Sequence, residues 1–208
     1  MYFAGVDPDL HDCAFGIVDS AGMPVLVALA SVDDEIKGRD AVVAMISSMK
    51  RLFGKGLFPS DWNSKVLTVA VEAQEFSYTA NAGIPPGDVG LIAVVAGQAM
   101  LASACLWPCP FVHPAPQAWK GSVPKQIHQA RLYTDLGIPF KKMGSKEKGY
   151  CVPSFHAASG IIGLDLVKKE SSWKHLGDAL ALARFAKMQY EYASMIARRR
   201  AEALSTNG

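Results

Sequence analysis

The sequence predicts an α/β protein with a mixed five-stranded sheet and helices on both faces. Three observations predict it: a meander of short apolar strands at the start, two further strands separated by helical patterns, and a long amphipathic pattern at the end. The first strand is Tyr2 to Asp7, the second Cys13 to Val18, and the third Pro24 to Ser31, with Asp19-Ser20-Ala21-Gly22 as a turn. Links this short imply antiparallel pairing. Asp40 to Phe53 carries Val42, Met45, Ile46, Met49 and Phe53 at helical spacing. Gly54 to Ser64 reads as a loop, Val66 to Val71 as a fourth strand running into Glu72, and Asp88 to Leu106 as a long helix after Pro85-Pro86-Gly87. Phe111 and Val112 mark a short fifth strand, and Lys125 to Leu136 a polar-faced helix. Lys141 to Leu166 is irregular, with a short helix expected near Ala157 to Leu166. Ser172 to Ala203 is the final helix, with Leu176, Ala179, Leu180, Ala183, Met188 and Ile196 on its apolar face.

The 208 residues suit one domain, with an insertion around 141–174; half are hydrophobic and 19% charged, which fits a globular chain with a sizeable core. No apolar run is expected to reach the length of a membrane span. Val89 to Cys105 comes nearest, but Gly90, Gly97 and Gln98 interrupt it, and it reads as a buried helix. The N-terminus lacks the basic start and apolar stretch of a secretory signal, so a cytoplasmic or similarly reducing location is expected. Cys13, Cys105, Cys109 and Cys151 form no CxxC pair and read as ordinary buried thiols. The formal net charge of +2 neither demands nor excludes a nucleic-acid partner, because a patch matters more than a sum. Two basic clusters stand out: Lys141, Lys142, Lys146 and Lys148 in one glycine-containing stretch, and Arg198 to Arg200 near the end of the last helix, where cations favour a helix C-terminus.

The chemistry-bearing pattern is acidic. Asp7 ends the first strand, Glu72 the fourth, and Asp178 lies one turn into the final helix. Strand ends opening at one sheet edge bring such residues together, and a helix across that edge adds a third carboxylate. Clustered carboxylates are costly to bury without a cation. Hard divalent ions such as Mg²⁺ prefer oxygen ligands, and two of them roughly 3.5–4 Å apart stabilise the attacking and leaving oxygens of a phosphoryl displacement. His175, three residues before Asp178, shares its helical face and is a further ligand or proton carrier.

Several segments resemble one family. Gly5-Val6-Asp7-Pro8 followed by Phe15-Gly16-Ile17-Val18, Val69-Ala70-Val71-Glu72 with Phe76 shortly after, Gly97-Gln98-Ala99, Pro116 to Gln129 with Lys120 and Lys125, and His175-Leu176-Gly177-Asp178-Ala179-Leu180-Ala181 occur in the order seen in RuvC-like Holliday-junction resolvases of the ribonuclease-H-like superfamily. Asp9 stands where that family usually has Gly, and Lys141 to Lys174 is longer than its counterpart, which points to a divergent, bacteriophage-type branch. The resemblance implies a crossover junction endonuclease of bacterial or phage-infected cells. It implies a two-fold homodimer acting on branched DNA, and two Mg²⁺ ions per site, with Mn²⁺ as a substitute. Asp7, Glu72, His175 and Asp178 then serve as ligands and catalytic groups, Lys120 and Lys125 neutralise phosphates, and Phe76 or Tyr78 stacks on an unpaired base. The helix from Val89 to Cys105 is apolar enough to supply part of the dimer interface.

Three other readings compete. Sugar kinases and actin-like ATPases share the sheet, but Asp7-Pro8-Asp9-Leu10-His11 lacks their phosphate-binding glycines. A catalytically inactive module of the same fold, binding branched DNA or a protein, is the non-enzymatic alternative. An RNA-processing nuclease is the nearest rival within the enzyme class.

Overall fold

The computed structural model describes residues 1–73, 86–145, 149–154, 160–163, 167 and 172–205. The chain opens with β1 (Tyr2–Asp7), β2 (Asp12–Asp19) and β3 (Pro24–Ser31), followed by α1 (Gly38–Gly54), a 3-10 turn (Ser60–Trp62) and β4 (Val66–Val71). Then come α2 (Pro86–Leu106), β5 (Phe111–Val112), α3 (Pro116–Lys120) and α4 (Lys125–Asp135). A ribbon of β6 (Phe140–Met143) and β7 (Tyr150–Pro153) precedes the long α5 (Trp173–Ser205).

The sheet runs β3-β2-β1-β4-β5. The first three strands are antiparallel, while β1, β4 and β5 are mutually parallel, so the sheet is mixed, as the element order implies. Local chemistry closes the second turn: Asp19 Oδ1 accepts the amides of Ala21 at 2.8 Å and Met23 at 2.9 Å, and Gly22 takes the left-handed φ of 82° that the turn needs. A parallel partner for β1 needs a crossover, which α1 supplies.

Strand alternation divides the core in two. Ala4, Val6, Cys13, Phe15, Ile17, Leu26, Ala28, Val69 and Val71 pack toward α1 and α2. Phe3, Ala14, Val18, Val27 and Ala70 pack toward α4 and α5, against Leu132, Leu136, Leu176, Ala179, Leu180 and Ala183. Gly5 and Gly16 face each other across β1 and β2. A Cβ at Gly5 would lie 2.1 Å from the carbonyl oxygen of Ala179 and 2.3 Å from the amide nitrogen of Ala183; one at Gly16 would lie 2.8 Å from the nitrogen of Leu180. The two glycines let the α5 backbone rest directly on the sheet.

Four expectations need correcting. Cys13 and Cys151 are buried as expected, but Cys105, on the outer side of α2, is exposed and Cys109 is half-buried. The stretch expected to be irregular contains the β6–β7 ribbon, whose largely exposed β6 shows no apolar alternation to announce it. Where a short helix is expected near 157–166, the described residues 160–163 form turns and a one-residue parallel bridge between Ile162 and Leu26. Gly160 (φ 95°) and Gly163 (φ 83°) are left-handed, which a helix does not accept, and Ile162 instead caps part of the β3 edge. Finally, Asp88–Leu106 of α2 does reach the length and mean hydropathy, 2.0, of a membrane-crossing helix. Its Val89, Ile92, Val95, Ala96 and Ala99 are buried in this fold, while Val94 and Leu101 are exposed.

Gly5→Ala places a methyl group against helix backbone that has no rotamer to change. It is expected to destabilise the protein by about 3 kcal/mol or to prevent folding. Gly54→Ala, in open space, should shift stability by less than about 1 kcal/mol. Urea unfolding of the two variants checks the contrast.

Candidate active site

Asp7 is the last residue of β1 and Glu72 the first after β4. Val6 pairs with Val71 in the parallel register, and the Glu72 amide donates to the Val6 carbonyl at 3.1 Å, so the two acids end neighbouring strands side by side. Alternation puts Phe3, Gly5 and Asp7 on the α5 face, and Ala70 and Glu72 likewise. The start of α5 crosses the same edge and brings His175 and Asp178 over it. Gly177 between them is required by contact, since a Cβ there would lie 1.8 Å from the Tyr133 hydroxyl. Asp7, Glu72, His175 and Asp178 are 6%, 9%, 8% and 4% exposed, so four ionisable groups share a nearly dry site.

Their pairing explains how the site tolerates this charge. His175 Nδ1–H donates to Asp7 Oδ2 at 2.8 Å. Burial pushes the Asp7 carboxyl upward, but the His175 hydrogen bond and charge, the Lys125 charge and a hydrogen bond from Glu72 outweigh it and bring it down to about 2. Glu72 goes the other way: burial, then the negative charge of Asp7, push its carboxyl up to about 9, with Lys120 opposing. At neutral pH Glu72 is thus the protonated partner and Asp7 the ionised one. For His175, burial opposes the charged form, but the Asp7 hydrogen bond and charge prevail and raise its pKa. Lys125 is also raised: burial works against its charge, yet Asp178 and Asp7 hold it.

Lys120 and Lys125, read from sequence as phosphate-neutralising residues, lie within this cluster. Lys125 Nζ pairs with Asp178 Oδ2, and Lys120 Nζ lies 3.8 Å from Glu72 Oε1. Phe76 and Tyr78, read as base-stacking residues, lie outside the described residues, as do Lys146 and Lys148. Among the described residues no three His, Cys, Asp or Glu side chains converge closely enough to hold a metal ion. The Lys125 ammonium stands beside Asp178, where a cation would otherwise balance the carboxylate. The donors themselves, three carboxylates and an imidazole, suit a hard divalent ion, and the proton forced onto Glu72 marks uncompensated negative charge.

Sequence reasoning missed three supporting residues. Gln129, fully buried, donates from Nε2 to Asp178 Oδ1 at 2.9 Å and to the Lys174 carbonyl at 3.2 Å, while its Oε1 accepts the Cys151 amide at 2.8 Å. Its signal was its place four residues after Lys125, on the same face of α4. Asp12 accepts Ser31 Oγ at 2.7 Å and Ser172 Oγ at 2.8 Å, tying β2 and β3 to the entry of α5. His113 Nδ1–H donates to the Val71 carbonyl at 2.8 Å, steadying the strand end before Glu72.

The raised pKa of Glu72 makes a stability prediction. This carboxyl titrates near 9 when folded and at its ordinary 4.5 when unfolded. Between those values the folded protein holds the extra proton, so the group's contribution is fully present below pH 4.5 and is lost as pH rises through 9. Metal-free Glu72→Gln should therefore exceed wild type in stability by about 1–3 kcal/mol at a pH of about 8, and by less at about 6. Urea denaturation at both pH values measures the gap; an identical gap would remove the buried-proton account.

No family model matches the chain, and no curated protein matches it. Solved structures do. The chain is similar to Thermus thermophilus RuvC in complex with a Holliday junction substrate, at 16% identity and a TM-score of 0.52, over 94% of this chain and 96% of that one. It is similar also to a second Thermus thermophilus RuvC structure, at 19% identity and a TM-score of 0.51, with the same coverage. At these identities the likeness shows the fold: the chain has the RuvC-like, ribonuclease-H-like architecture over nearly its whole length.

Proposed function

We propose that the chain is a divalent-metal-dependent endonuclease that hydrolyses phosphodiester bonds in branched DNA, four-way junctions in particular. The observation that carries this reading is the gathering of Asp7, Glu72, His175 and Asp178 in one buried cluster at the end of β1 and β4. The fold it shares with a RuvC structure holding a Holliday junction substrate supports the substrate class. Asp7, Glu72 and Asp178 would hold a pair of Mg²⁺ ions, or Mn²⁺ in their place, which would supply Lewis acidity and neutralise phosphate charge.

The chain's own groups do the rest. Asp7 fixes the His175 ring through Nδ1, which leaves Nε2 to exchange a proton with the departing 3′ oxygen. The product ends are a 5′ phosphate and a 3′ hydroxyl. Lys120 and Lys125 set two cations beside the carboxylates, where the scissile strand's phosphates enter. Gln129 holds Asp178 Oδ1, so Oδ2, which pairs with Lys125, is the oxygen that would serve an ion. A two-fold homodimer, in cytoplasm, suits paired symmetric cuts. The exposed Val94 and Leu101 of α2 are compatible with such an interface.

A second reading has two observations in its favour. Lys125 already neutralises Asp178, and no three ligating side chains converge among the described residues, which fits a module that binds branched DNA without cutting it.

The deciding experiment is cleavage of a labelled immobile four-way junction in Mg²⁺ or Mn²⁺, with linear duplex, flap and RNA–DNA hybrid alongside. Symmetric paired nicks are expected in the junction, and Asp7→Asn should lower the rate by about 100-fold or more, the loss of several kcal/mol of transition-state stabilisation. Cleavage of the RNA hybrid instead transfers the chemistry to RNA processing. Binding with no cleavage of any substrate selects the binding module. In a parallel thermal melt, Mn²⁺ should raise the Tm of wild type and leave Asp7→Asn unmoved.

A further inference from the structure

The β6–β7 ribbon takes no part in the main sheet, yet it is held beside the carboxylates. Its register is Phe140↔Pro153, Lys141↔Val152, Lys142↔Cys151 and Met143↔Tyr150. A two-stranded ribbon is marginal by itself, and this one leans on α4. Gln126 Nε2 donates to the Met143 carbonyl at 3.1 Å, Cys151 Sγ donates to the Gln126 carbonyl at 3.3 Å, and the Cys151 amide donates to Gln129 Oε1 at 2.8 Å. Gly149 seals the contact, because a Cβ there would lie 2.4 Å from Gln126 Nε2. The Gln129 amide that receives the ribbon also grips Asp178, so a single side chain spans from β7 to the active site.

The ribbon buries little of its own. All of Lys141, Lys142 and Met143 is exposed, and only Cys151 and Pro153 of β7 are buried. Its surface is basic and aromatic. By register Lys141 and Tyr150 fall on one face of the ribbon and Lys142, exposed, on the other beside Cys151, and the Lys174 ammonium lies 5.4 Å from the Tyr150 ring centroid. Segments 140–145 and 149–154 contain no Asp or Glu. Cations paired with an aromatic ring, with Glu147 the one acid in the sequence between the two strands, complement a phosphodiester backbone.

We propose that the β6–β7 ribbon is a second nucleic-acid contact, in which Lys141, Lys142 and the Lys174–Tyr150 pair bind the backbone flanking the cut. The inference rests on the nuclease reading above and adds a surface to it. Contacts of this kind neutralise phosphates and do not read bases, so they act on every DNA substrate alike.

The test is fluorescence anisotropy of a labelled four-way junction and of a labelled duplex, without divalent ions, at several salt concentrations. Wild type is compared with Lys141→Ala/Lys142→Ala, and with Arg198→Ala/Arg199→Ala at the far end of α5 as a control. The ribbon double variant should bind both DNAs about 10–60-fold more weakly at about 0.1 M salt, with a log–log salt slope shallower by about 2. The arginine variant should match wild type, and the Mn²⁺-induced Tm rise should persist in both, showing that fold and cluster are intact. Unchanged affinity and slope in the ribbon variant, with wild type binding, overturns the ribbon contact and spares the nuclease reading. Wild type binding neither DNA overturns both.

Discussion

The candidate site depends on how closely α5 lies on the sheet. Two glycines, Gly5 and Gly16, face each other under the helix, and its backbone fills the space their side chains would take. The helix therefore meets β1 backbone to backbone, with Ala179 and Ala183 at the contact. Close packing leaves little tolerance for even one added methyl. Because Asp178 precedes Ala179 directly, the contact that seats the helix also sets the height of its carboxylate over Asp7. His175, a turn earlier, comes to hydrogen-bond distance from Asp7 through the same seating. Gly177 plays the matching part toward α4, where Tyr133 closes over the helix.

Once seated, the site has an electrostatic problem that it solves by sharing. Three carboxylates are buried within one small region, and burial disfavours every charge they carry. Asp7 keeps its charge through His175, Asp178 pairs with Lys125 and Gln129, and Glu72 takes a proton. This distribution is specific to each position: neighbouring acids on adjacent strands end with pKa values of about 2 and about 9. A divergence of that size between neighbouring groups is common where chemistry is done. The supporting residues, Gln129, Asp12 and His113, each tie a different element to the cluster, so its geometry rests on α4, the entry of α5 and the end of β5 together.

Much of this was legible before any fold was seen. The bounds of β1, β3, β4 and β5 follow from apolar runs ended by Asp, Ser, Gly and Pro. The long helices follow from their spacing, within two residues at each end. The four residues of the cluster were legible as acids at strand ends and an acid with a histidine on one helical face. The β6–β7 ribbon was not, because β6 carries two lysines and a methionine that are all exposed, and exposed strands have no alternation to show. Gln129 was nearly as quiet: its place four residues after Lys125 sets it on the same face of α4, but an amide on a polar-faced helix gives no sign of which element it reaches.

The sequence by itself determined the order of elements, the mixed sheet and the identity of the acidic and imidazole groups, because these depend on local periodicity and on turn chemistry between near neighbours. Only the tertiary structure decided which partner each charge takes. Lys120 and Lys125 read as free cations for phosphate, yet in the fold they face Glu72 and Asp178. The reason is that pairing energy inside a protein depends on separation and burial, and both arise between residues far apart in the chain, as between Asp7 and His175, 168 positions away.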